Sequence, residues 1–196
     1  QNRSHTPNFT DGGNVVSILR QMLFEKSPQA KPPGPLPSRK TDLQNLSPDE
    51  NVLVWFGHSS YLIQVDGLNI LIDPVFSERT SPFQFIGTKN FLGTGFIAPK
   101  NLPPLDIVLI THDHYDHLDY QTILALKEKT ALFVTSLGVG AHLIRWGIKP
   151  EFIIELAWHE QASPLAAISF TAQPARHFSG RKFKRNQTAW SSFILK

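Results

Sequence analysis

A chain of 196 residues with 41% apolar content can fill one core or two small ones, which excludes a disordered chain. Its formal net charge is only +3, and basic residues cluster only at Arg181-Lys182-Phe183-Lys184-Arg185, too short a run for a nucleic-acid groove. It has no cysteine, so disulfides and thiolate ligands are excluded, and any metal site must use histidine, carboxylate and water.

Residues 1–49 read as a leader. Its first part, up to residue 26, carries one short amphipathic helix with Val15, Val16, Ile18, Leu19, Met22 and Leu23 on its apolar side. Five prolines and a glycine between residues 27 and 37 then predict an extended strap. Residues 52–56, 61–65 and 68–72 predict three consecutive strands, the last two joined by the hairpin signal Asp66-Gly67 and the third stopped at Asp73-Pro74. Residues 75–104 have no sustained period and predict a long loop, whose Phe76, Phe83, Phe85, Phe91 and Phe96 either wall a site or cover the core.

From residue 107 onward strands and helices alternate. Strands are expected at 107–110, 132–135, 152–156, 168–172 and 190–195, and helices at 118–129, with Ile123, Leu124 and Leu126 inward, and at 139–146. This order argues for an α/β layer. No window approaches the roughly 20 apolar residues of a membrane span, and the chain starts without the blocks of a signal peptide. A soluble, cytoplasmic protein is the expectation, with membrane association or export as alternatives.

The densest chemistry lies just after the strand at 107–110, where Thr111-His112-Asp113-His114-Tyr115-Asp116-His117 puts three histidines and two aspartates within six residues. Neutral imidazole nitrogen and carboxylate oxygen suit zinc, and a loop lets alternate side chains converge where a helix would splay them. His112 and His114 can reach one metal ion, while Asp116 and His117 point to a second position nearby. Packing alone gives no reason for such a run.

The spacing His112-x-His114-x-Asp116-His117 resembles the signature of the metallo-β-lactamase superfamily. Trp55-Phe56-Gly57-His58-Ser59-Ser60-Tyr61, Leu71-Ile72-Asp73-Pro74 and Pro174-Ala175-Arg176-His177-Phe178-Ser179-Gly180-Arg181 extend the likeness over residues 50–196. They are similar to the branch that holds N-acylphosphatidylethanolamine-hydrolysing phospholipase D and the lactonase acting on phosphorylated ascorbate. The resemblance implies an α/β fold, here the first half of a four-layered αβ/βα sandwich, with its metal site at one edge.

It also implies His177 as the third histidine on the first metal, and Asp73 behind the ligands, orienting a histidine through a hydrogen bond. His58 and Arg181 are expected either behind the ligands or facing substrate. His5, His142 and His159 are expected to be structural, and Asp119 to cap the helix that follows it. The resemblance further implies a bridging aspartate and a later histidine, yet after His177 the sequence has neither residue type. A missing C-terminal half is therefore the expectation.

The implied activity is that of a metal-dependent hydrolase using metal-bound hydroxide, with Asp116 in the chemical step and one or two zinc ions, or iron or manganese, as cofactor. A phosphodiester of an N-acyl phospholipid is the favoured substrate. A lactone of a phosphorylated sugar acid, and a non-catalytic metal-binding module, are the alternatives. The expected partner is a small or lipid-like anionic substrate, with peripheral membrane contact and no nucleic acid; Arg176, Arg181, Lys182 and Arg185 are candidates to hold its phosphate.

Overall fold

The computed structural model describes residues 31–81, 85, 89–94, 97–181 and 185–196. The expected N-terminal helix, with His5, Phe83, Phe96 and Lys182, lies outside them. The meander forms as expected: β1 (Val52–Gly57), β2 (Ser60–Val65) and β3 (Leu68–Ile72) pair antiparallel in that order. Val65 pairs with Leu68 across Asp66 and Gly67, whose φ angles of 49° and 76° are the left-handed pair that a two-residue hairpin turn needs.

After β3 the sheet becomes parallel. β4 (Leu105–Ile110), β5 (Thr130–Ser136) and β6 (Ile153–Leu156) join in chain order, with α1 (Tyr120–Leu126) and α2 (Gly140–Arg145) in the crossovers, to complete six strands. A second, three-stranded antiparallel sheet holds β7 (Gln161–Leu165), β8 (Ile168–Pro174) and β9 (Ser191–Leu195).

The period-two alternation of the strands divides the core into two layers. Leu71, Val108, Ile110 and Phe133 face the helices, where they meet Ile123, Leu126 and Leu143. Ile70, Ile72, Ile107, Leu109 and Val134 face the other way, onto Ile168, Phe170, Ala172, Phe193 and Leu195 of the second sheet. Each such side chain, taken fully out of water, contributes about 1.5–3 kcal/mol. The described residues thus build an α/β arrangement of helices, mixed sheet and second sheet, with the histidine loop leaving the end of β4.

Three local expectations need correction. Strand β7 is absent from the sequence reading because its Gln161-Ala162-Ser163-Pro164-Leu165 is polar and holds a proline; it survives as an edge strand with a register shift between Ala162 and Leu165. In α1 it is Thr122, not Leu124, that is buried with Ile123 and Leu126, and residues 127–129 form a 3-10 turn rather than more α-helix. Residues 31–49 also take part in the fold: Leu43 is buried in the helix-side core, and the Gln64 side chain donates to the carbonyls of Ser47 and Glu50.

Candidate metal centre

The site starts from Asp73, immediately after β3. Its backbone is left-handed at φ 42°, its side chain is buried, and its N–H donates to Leu109 O at 2.9 Å, which fastens it to the end of β4. Ser60 Oγ donates to Asp73 O at 2.6 Å and accepts from Val75 N–H at 3.1 Å, so the turn into β2 holds the same corner. A non-glycine residue held in this conformation needs such over-determination.

From there the Asp73 carboxylate sets the protons of the loop. Oδ1 accepts from Thr111 N–H at 2.8 Å, and Oδ2 accepts from Thr111 Oγ1 at 2.6 Å and from His117 Nδ1 at 2.8 Å. A threonine hydroxyl has one proton, and here it goes to the carboxylate. His112 Nδ1, 2.9 Å from that hydroxyl oxygen, must therefore donate to it, and His112 Nε2 is left as a bare lone pair. The bond to Asp73 likewise fixes the His117 ring with Nδ1 towards the carboxylate and Nε2 away from it. One carboxylate thus orients two imidazoles, with the nitrogens that could hold a metal turned away from it.

Those nitrogens converge with others. His112 Nε2, His114 Nδ1 and His177 Nε2 lie 3.0, 3.1 and 3.2 Å apart in pairs. With zinc–nitrogen bonds of 2.0–2.1 Å, two corners of a tetrahedron stand roughly 3.3 Å apart. Three imidazole nitrogens at these spacings match three corners of such a site, so the donor set fits a divalent metal. His58 Nε2, Asp116 Oδ2 and His117 Nε2 form a second such group. The His112 and His117 rings are 4.0 Å apart between centroids, which puts the two groups side by side.

The electrostatics keep the first group ready to ligate. Burial, helped by neighbouring His117 and His177, holds the His112 pKa down at about 2 from its ordinary 6.5, and burial also lowers those of His114 and His177. The native state therefore refuses protons that the unfolded chain accepts. The native state is at its full stability above pH 6.5, where neither state binds this proton, and loses stability as pH falls from there towards 2. For His112 alone the loss is about 2 kcal/mol by pH 5. Urea unfolding of metal-free protein is expected to show a midpoint that drops from pH 7 to pH 5; a flat midpoint contradicts the buried neutral histidine.

Residues beneath the loop anchor it. Asp113 is buried, its Oδ1 accepts from Gly180 N–H at 2.7 Å, and its Oδ2 lies 3.6 Å from His142 Nε2 on α2. Burial raises the Asp113 pKa, but the His142 and Gly180 contacts outweigh it and hold the carboxyl below its ordinary value. Asp113 and Thr111 are the contributors that sequence reasoning missed, whereas His142, expected to be structural, packs against Asp113 beneath the loop. Asp119 stands at the helix N-cap, yet its carboxylate accepts from Ser77 N–H and the Thr122 hydroxyl instead of the helix backbone.

Of the two places expected for Arg181, behind the ligands or facing substrate, its contacts fit the first. Its Nη1 donates to the carbonyls of Asp113 and Leu118, and its guanidinium lies 4.1 Å from the centre of the Tyr115 ring and 5.3 Å from that of Trp146. Tyr115 Oη in turn donates to Arg181 O at 2.9 Å. Turned into the loop, the side chain braces the backbone that carries His112 and His114. Arg185, by contrast, is exposed, with its guanidinium 4.8 Å from the Phe178 ring centre, and Phe178 is 4.6 Å from the His114 ring.

A family model described as a beta-lactamase superfamily domain matches residues 68–196. The chain belongs to that superfamily. Among superfamily relatives, an uncharacterized protein of Mycobacterium tuberculosis (strain ATCC 25618 / H37Rv) is 36% identical over 97% of this chain and 55% of its own length. The N-acyl-phosphatidylethanolamine-hydrolyzing phospholipase D 1 of Caenorhabditis elegans is 28% identical over 95% of this chain and 58% of its own length. This beta-lactamase superfamily chain thus spans about half the length of the curated relatives it matches.

Two solved structures share the fold. CmlA, a diiron beta-hydroxylase from Streptomyces venezuelae, matches with a TM-score of 0.54 at 26% identity, over 76% of this chain and 28% of its own. Igni18, a metallo hydrolase from the archaeon Ignicoccus hospitalis, matches with a TM-score of 0.51 at 25% identity, over 74% and 55%. Among the described residues no helix is long and apolar enough to cross a membrane.

Proposed function

We propose that the protein carrying this chain is a metal-dependent hydrolase that cleaves a phosphodiester bond in an anionic, lipid-like substrate. The observation that carries this reading is the pair of adjacent ligand groups whose imidazole nitrogens are oriented by Asp73. His112, His114 and His177 would hold one ion, and Asp116 with His117 would face a second. Zinc suits nitrogen-rich sites best, and iron or manganese are compatible with the same donors. A metal bound there supplies Lewis acidity and a lowered pKa for water.

The chain's own residues do the rest. Asp116 is partly exposed, and its charge is felt by both His114 and His177, which suits it to orient the attacking water and accept its proton. Phe178 stands exposed beside the histidines and offers apolar contact to an acyl chain, while Arg185 over its ring offers paired donors to a phosphate. The relationship to the nematode phospholipase D supports the phosphodiester. Contact with a membrane surface and absence of nucleic-acid binding accompany this reading.

A paired assay of the metal-loaded, full-length protein on an N-acyl phospholipid phosphodiester and on a phosphorylated lactone tests it. Turnover is expected on the first substrate, and Arg185→Ala is expected to raise its KM about tenfold, the loss of roughly one charge-assisted contact. Turnover on the lactone alone would replace the phosphodiester reading with the lactonase one, and activity on neither would favour a metal-binding module.

A further inference from the structure

The second ligand group contains a residue that neither the histidine-loop motif nor the family match accounts for. His58 lies in the turn between β1 and β2, far in sequence from Asp116 and His117, yet its Nε2 is 3.2 Å from Asp116 Oδ2 and 3.3 Å from His117 Nε2. We propose that His58 is a ligand of the second metal ion, completing with Asp116 and His117 a set of two nitrogens and one oxygen drawn from two separate elements.

Three observations support this assignment. Both separations exceed the roughly 2.7–2.9 Å of a charge-assisted hydrogen bond and equal the roughly 3.3 Å edge of a tetrahedral zinc site. Asp73 accepts from His117 Nδ1, which turns Nε2 towards His58 and Asp116, so two imidazole nitrogens and a carboxylate oxygen meet at a point that a cation satisfies. The turn is also shaped to deliver the ring. Gly57 and His58 take φ angles of 114° and 46°, the β1–β2 register shifts between Trp55 and Gly57, and Trp55 Nε1 donates to His58 O at 2.9 Å. A strained non-glycine residue held in place by its neighbours is a common mark of a functional position.

This assignment rests on the two-ion reading, and the test separates the two. Metal-free full-length protein would be titrated with Co2+ alone, following uptake by calorimetry and the visible absorption of the bound ion. Wild type is expected to take two equivalents in distinguishable steps. His58→Asn, chosen because asparagine tolerates the left-handed backbone, should weaken the second step at least tenfold and change its absorption while leaving the first step intact. His114→Ala should instead remove the first step, and circular dichroism would establish that each variant is folded; His58→Ala provides an independent replacement. A second step unchanged within twofold in both His58 variants overturns the role of His58 and leaves the two-ion reading standing. Uptake of a single equivalent by wild type overturns both.

Discussion

Protein carrying His112→Ala and His114→Ala together is expected to lose the first metal ion outright. Three nitrogens converge on that position, and the double change removes two of them, including the one whose proton is fixed through Thr111 and Asp73. A single remaining imidazole, His177, is a weak monodentate ligand. Elemental analysis after dialysis against a mild chelator measures the effect directly. Wild type should retain the ion and the double variant should lose about one equivalent per chain, with hydrolysis falling to background. Metal content equal to that of wild type would show that the ion sits elsewhere. In metal-free protein the double change should also remove the acid-dependent loss of stability that His112 causes below pH 6.5.

Asp73→Asn makes a subtler break with a comparably large expected consequence. Asparagine keeps the size of the side chain and tolerates the φ of 42°, so the corner between β3 and β4 should form. The amide, however, has only one acceptor oxygen, where the carboxylate accepts from Thr111 N–H, Thr111 Oγ1 and His117 Nδ1. At least one histidine then loses the partner that fixes its tautomer. Metal affinity is expected to fall about 10–100-fold, the range for residues that orient ligands without touching the ion. Competition with a chromophoric chelator reads this, and Thr111→Val should reproduce the part that acts through His112. Unchanged affinity in both variants would reduce Asp73 to a fold-stabilising corner.

Much of the candidate site was legible because the chemistry crowds into one loop. Neither packing nor turn formation asks a buried strand to run into His112-x-His114-x-Asp116-His117, and the structure does bring those side chains together at the end of β4. His177 was reachable only through resemblance, since it stands 65 residues from His112 and comes from the other sheet. Nothing local to Gly57-His58-Ser59 tells a turn histidine from one whose ring meets His117, 59 residues further along the chain.

The place of Arg181 stayed open in the sequence for a related reason. In sequence it opens a basic run beside a histidine, whereas its partners are main-chain carbonyls at Asp113 and Leu118, which leave no compositional trace. The fold followed a similar division. Strands rich in Val, Ile and Leu announced themselves, while β7, polar and carrying Pro164, exists only because β8 offers it a paired edge.

The three nitrogens of the first group come from both sheets: His112 and His114 leave the six-stranded sheet after β4, and His177 leaves the three-stranded sheet after β8. An ion gripped by all three is a rivet through two layers that otherwise adhere largely by apolar contact. Its binding free energy is then also cohesion of the native state, about 2.7 kcal/mol when free metal stands at a hundred times the dissociation constant. Metal starvation would therefore do more than silence chemistry. It would let the layers part, bare the face that Ile107 and Leu109 turn towards Phe170, and hand the chain to proteases, so that the abundance of the folded protein would follow the supply of its ion.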